Sequence, residues 1–222
     1  MIVAPLSLDY LLRPPRQPQA TPPVIVLLHG VGSNEQDLFE LAQYLEPAAL
    51  IVSARAPNVL GPRSFAWYPV EFTATGPIID AEAAEASRLL LLKFIAELIA
   101  TYSVDAKRVY LMGFSQGAIM SLAVALTQPE KVAGVVAMSG RLLPEIKPKI
   151  VPHLNGLPIL MTHGVRDAII PIKDARAAST YLSTLPVQLT YREYDMGHQI
   201  TVESLNDIVA WLKQQLTISN DQ

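Results

Sequence analysis

Short, almost wholly apolar runs alternate with longer segments of helical period along the chain, and that alternation admits few folds. Val24 to Leu28, Leu50 to Ser53, Arg108 to Gly113, Val132 to Met138, Pro158 to His163 and Val187 to Tyr194 read as strands. Helical patterns separate them at 35–45, 80–102, 116–127, 172–185 and 201–216, with Ser33 or Asn34 and then Asp80 as N-cap candidates, and Pro171 opening the fourth. Strand, helix, strand in repetition means parallel strands joined by crossover helices. Strands that are apolar on both faces agree, because such sheets are covered by helices on each side. An earlier strand is expected over 5–12, where residues alternate, and Arg13 to Pro23 is a loop with five prolines. Arg55 to Pro77 is the longest irregular stretch. With 222 residues, half of them apolar, and no repeat or flexible linker, the chain reads as one α/β domain over 1–222.

Charge and composition exclude several classes. Seventeen basic against 20 acidic residues leave a net charge of −3 and no basic stripe, so no nucleic-acid partner is expected. The absence of cysteine removes disulfides, zinc–thiolate sites, iron–sulfur clusters and a cysteine nucleophile, and it fits a cytoplasmic location. No run reaches the ~18 apolar residues of a membrane span, and Met1 to Leu12 has no basic region typical of a signal peptide. The mean hydropathy of +0.29 points to thick core helices and to a homodimer face.

Open parallel sheets place their chemistry at the carboxyl ends of the strands. There the strand over 108–113 ends in Gly113-Phe114-Ser115-Gln116-Gly117 and runs straight into a helix. A serine on such a turn projects its hydroxyl from a strained backbone, and the flanking glycines leave room for close approach. A hydroxyl needs a base to take its proton. Of four histidines, His198 follows the strand over 187–194 just before the last helix, at the same sheet edge as Ser115. His29 and His163 also end strands, but each precedes a glycine and reads as a turn or supporting histidine; His153 lies between Pro152 and Leu154 and reads as solvated. The base needs an acid to set its tautomer. Asp167, just past the strand over 158–163, supplies it; Asp174 falls inside a helix, and Asp195 is only three residues from His198. The order Ser115, Asp167, His198 is that of an α/β-hydrolase. His29-Gly30-Val31-Gly32-Ser33-Asn34 presents backbone N–H groups, so Val31 and Gln116 are the candidate oxyanion donors. Glu35 stands where a dinucleotide loop would need its third glycine.

These motifs lie in register: Leu28 to Glu35, Gly113 to Ala118, His163 to Asp167 with Ile170-Pro171, and Gly197-His198. Together they resemble the phospholipase/carboxylesterase family of small α/β-hydrolases, which includes the acyl-protein thioesterases, from about Val24 to the carboxyl end. The resemblance implies an eight-stranded type of sheet, a serine esterase on small to medium acyl esters or thioesters, and no cofactor or metal. It assigns nucleophile, acid and base to Ser115, Asp167 and His198, and oxyanion donors to Val31 and Gln116. Ser33-Asn34-Glu35 resembles the bacterial esterase branch more than the eukaryotic thioesterases, which carry Gly-Asp there. Arg63 to Tyr68 resembles a segment that lines the family's groove, so Phe65, Trp67 and Tyr68 are the expected acyl wall. Between Met138 and Pro158 there is no inserted block large enough for a lid.

Two other classes compete. A binding or sensor protein on the same scaffold would ordinarily have lost a member of the triad, and none is lost here. A metal-dependent hydrolase would draw on His29, His163, Asp167 and His198, which lie on separate strand ends without H-x-x-x-H spacing.

Overall fold

The computed structural model describes residues 6–17, 19–73 and 76–218. Its centre is a seven-stranded sheet. The strands are β1 (Tyr10–Arg13), β2 (Val24–Leu28), β3 (Leu50–Ala54), and, after two small hairpins, β8 (Val109–Phe114), β9 (Gly134–Met138), β10 (Leu157–Gly164) and β11 (Val187–Tyr194). The hairpins pair β4 (Asn58–Gly61) with β5 (Ser64–Ala66), and β6 (Val70–Thr73) with β7 (Gly76–Ile79). The strand order is β1-β3-β2-β8-β9-β10-β11; only β1 runs antiparallel to its neighbour.

Side chains alternate across the sheet with period two, as strand geometry requires. Val26, Leu28, Val52, Leu111, Val135 and Met161 join one core with α2 (Ala81–Tyr102), α3 (Gln116–Thr127) and α4 (Ile172–Leu182). Their sequence neighbours Ile25, Leu27, Ile51, Met112, Val136 and Leu160 join the other, beneath the short α1 (Gln36–Phe39) and α5 (Val202–Ile218). Helices therefore cover both faces. Every residue of α3 is buried, because α2 packs over it. Asp80 caps α2, its carboxylate accepting from Ala83 N at 2.9 Å. Asn34 Oδ1 accepts from Gln36 N at 3.0 Å ahead of α1.

Three expectations change. The sheet has seven described strands rather than the eight that the resemblance implied. The first strand runs 10–13 instead of 5–12: Leu8 drops into the core and Ser7 N bonds Glu97, so the chain before Tyr10 leaves the sheet plane. Residue 5 lies outside the described residues. The stretch from Arg55 to Pro77 is not irregular throughout, since it carries both hairpins. Strands of three or four residues, broken by Gly61-Pro62, leave too little alternation to read.

Candidate active site

The turn after β8 holds the most strained residue of the site. Ser115 sits at φ 53°, ψ −116°, a region L-residues rarely adopt. Its N–H bonds Met138 O at 2.9 Å, and its carbonyl takes the Ile119 N–H at 3.1 Å. The neighbours on either side have no room for a side chain. A Cβ on Gly113 would lie 2.2 Å from Gly117 O, and one on Gly117 would lie 1.9 Å from Leu28 O. The elbow is thus wedged between β2 and α3, and Ser115 Oγ makes no hydrogen bond among the described residues.

His198 reaches this edge from the loop after β11. Its Nδ1 lies 2.7 Å from Asp167 Oδ2, and its ring packs on Phe114 at 4.8 Å between centroids. A carboxylate can only accept, so Nδ1 carries a proton, and in the neutral ring this tautomer leaves the lone pair on Nε2. The Asp167 side chain is fully buried; its Oδ1 takes the Ile169 and Ile170 N–H groups, each at 2.9 Å. His163 stands behind, its Nε2 donating to Ile170 O at 2.8 Å and lying 3.4 Å from Asp167 Oδ2. Main-chain bonds from Val165 to Tyr194 and from Arg166 to Met196 stitch the two loops together. Asp195 instead turns to solvent, in an ion pair with Arg166 at 2.5 Å. Asp174 lies in the first turn of α4.

The loop after β2 brings Val31 to the same place. Val31 N–H and Gln116 N–H are without a partner among the described residues, and both residues line one cavity with Ser115. The His29 ring lies behind this loop. Nδ1 donates to Gly30 O at 2.7 Å, Nε2 accepts from Ala56 N at 3.1 Å, and burial holds its pKa below the usual histidine value. Both ring nitrogens of His29 are thus taken by backbone. Among the described residues no group of three or more histidines and carboxylates is arranged to hold a metal.

The aromatic segment divides. Tyr68 lines the cavity, with burial raising its phenol to about 12. Trp67 does not: it is fully buried, with its indole N–H on His29 O at 2.9 Å and its main-chain N–H on Gln116 Oε1 at 2.7 Å. Gln116 Nε2 in turn donates to Tyr68 O at 2.7 Å. Phe65 lies outside the cavity too, under the Arg55 guanidinium at 4.8 Å, and its backbone pairs with Gly32 and Ser33. An indole N–H must find a partner when buried, and here that partner is His29 O, in the loop that carries Val31. Trp67 and Phe65 tie the candidate donors down, while Tyr68 shares the wall with residues from other segments.

Tyr68 apart, that wall is not legible in the sequence. The cavity, about 90 Å³, is closed by Val70, Pro77 and Ile79 of the second hairpin and by Ile119 and Ile170. It opens into a groove of about 620 Å³ that shares Pro77, Ile79, Arg141, Ile169, Pro171 and Asp174 with it. No pattern within 55–79 marks these positions, because they meet Ser115 only through the folded hairpin. From 139 to 156 the only helix described is a 3₁₀ turn over Pro144–Lys149.

Known proteins share this arrangement over most of the chain. The family model for phospholipase/carboxylesterase matches residues 13–216. Acyl-protein thioesterase 1 of Kluyveromyces lactis is 29% identical over 88% of this chain and 92% of its own length. Acyl-protein thioesterase 1 of Gibberella zeae is 30% identical, again over 88% and 92%. Among solved structures, that of esterase PE8 superposes with a TM-score of 0.83 at 28% identity, covering 93% of this chain and 98% of the other. With a seven-stranded α/β sheet, a strained serine at a strand-to-helix elbow and a family match across most of its length, the chain belongs to the phospholipase/carboxylesterase family of α/β-hydrolases and is a hydrolase.

Proposed function

We propose that the protein is a serine carboxylic-ester hydrolase in which Ser115, His198 and Asp167 form the catalytic triad. The observation that carries this reading is the 2.7 Å Asp167–His198 bond beside a strained serine whose cavity is also lined by Val31 and Gln116, whose main-chain N–H groups have no partner among the described residues. Ser115 Oγ attacks the ester carbonyl while His198 Nε2 takes its proton. The resting site has no Ser115–His198 hydrogen bond; such bonds often tighten only once substrate is bound. The carbonyl oxygen becomes an oxyanion and accepts from Val31 N–H and Gln116 N–H. The C–O bond to the alcohol breaks, His198 returns its proton to that oxygen, and the acyl group stays on Ser115. Water, deprotonated by His198, then releases the acid and restores the serine.

The narrow apolar cavity supports short to medium acyl chains, and the absence of an inserted block over 139–156 supports action on dissolved substrate without a lipid interface. The cysteine-free composition supports work in the cytoplasm, and the mean hydropathy of +0.29 supports pairing of two copies. Relatives named acyl-protein thioesterase support a second reading, in which the acyl group arrives on sulfur. The two are told apart by the kcat/KM ratio of matched oxygen and sulfur esters. The triad itself is tested with a fluorophosphonate probe: mass spectrometry should find one adduct, on Ser115. An unlabelled serine in folded protein would overturn the assignment.

A further inference from the structure

Arg141 follows β9, one strand over from the Ser115 elbow, and it lines both the inner cavity and the wider groove. Arg55, Arg88, Arg108, Arg166, Arg176 and Arg192 each sit on a carboxylate. Arg141 does not. Among the described residues its one hydrogen bond is a long one, from Nη1 to Leu142 O at 3.3 Å, although its side chain is half-buried. A guanidinium presents five donors in a planar fork that matches a carboxylate, and here nearly all of them remain open.

The charges around it do not cancel the fork. Asp174 lines the same cavity, but it lies in the first turn of α4, where the helix N-terminus already favours a negative charge. Farther along the groove, the carboxylate of Glu145 shares the lining with two lysines, Lys147 and Lys173. Arg141 also acts on the inner cavity: it draws the Tyr68 phenol down against the burial that raises it.

Resting on the hydrolase reading above, we propose that Arg141 is a specificity residue and that the groove takes esters carrying a carboxylate a few bonds from the scissile carbonyl. The Ser115 end of the cavity holds the reacting ester among apolar walls, and Arg141 holds the charged end at the mouth. The carboxylate lies on either the acyl or the alcohol part, and substrate pairs tell which.

The experiment compares kcat/KM for mono-4-nitrophenyl glutarate with that for 4-nitrophenyl valerate, of equal chain length, and for acetoxyacetate with ethyl acetate. Each is corrected for its own uncatalysed rate, which for the glutarate ester includes attack by its own carboxylate to release nitrophenolate and form the cyclic anhydride. Wild type should favour the charged member of at least one pair by about ten- to a hundredfold, the range of one charge-assisted contact. Arg141→Gln should bring that ratio near one, and Arg141→Lys should restore part of it; a thermal melt confirms that each variant is folded. A wild-type ratio near one in both pairs, or a ratio that Arg141→Gln leaves alone, overturns the subsite while leaving the hydrolase reading standing. Folded wild type that hydrolyses none of the four esters overturns both.

Discussion

The two sides of the cleft are built differently. On one side, Ser115, Asp167 and His198 each sit within a few residues of a strand end, and their positions follow from local turns: a glycine-flanked elbow, and two loops stitched by main-chain bonds. On the other side, the wall comes from the second hairpin and from isoleucines of α3 and the Asp167 loop. The conspicuous aromatics nearby serve mainly to hold the loop after β2 that carries the proposed donor Val31, through Trp67 on His29 O and Phe65 on Ser33. The comparison teaches that bond-making groups need a fixed backbone geometry, which local sequence can encode. A wall needs only apolar surface, which any folded segment can deliver.

Breaking the first side should have the largest effect. Ser115→Ala should leave a folded protein that has lost on the order of 10⁴-fold or more in kcat on 4-nitrophenyl acetate. Steady-state kinetics on protein freed of wild-type carry-over check this, and retention of a tenth of the rate would remove Ser115 from the chemistry. Asp167→Asn should cost about 10³–10⁴-fold, because an amide can stabilise the wrong tautomer of His198. Asp195→Asn should cost far less, since its carboxylate is mostly exposed and, among the described residues, meets only Arg166. A reversed order of those two losses would move the acid to the other loop.

Trp67→Ala separates anchoring from substrate contact. Removing a fully buried indole should destabilise the fold by roughly 3–5 kcal/mol. For a chain of this size that is about 6–20 °C in Tm. The variant's kcat should fall for all esters together, with the ratio of octanoate to acetate unchanged. A calorimetric scan and a chain-length series give both numbers, and a selective loss of long chains would return Trp67 to the wall. Ile169→Ala has the smallest and opposite signature. Ile169 is 56% exposed yet lines both cavity and groove, so folding should hardly notice its loss. Octanoate should fall against acetate by roughly fivefold, from about 1 kcal/mol of apolar contact at ~0.8 kcal/mol per methylene.

The sequence by itself determined the order of the central-sheet strands and of the helices between them from Val24 onward, the two hairpins excepted, because each of those strands is short and apolar on both faces and each helix has its own period. It also determined the elbow, since Gly113 and Gly117 leave space no other residue could, and it singled out Asp167 and His198 by their places after strands. Only the tertiary structure decided that His163 stands behind Asp167, that Trp67 faces the loop after β2 instead of the cavity, and that Val70, Ile79 and Arg141 border the cleft. Those contacts join segments tens of residues apart. Which way a buried ring or an open guanidinium faces is set by the partner it meets across that distance, and no local periodicity carries that information.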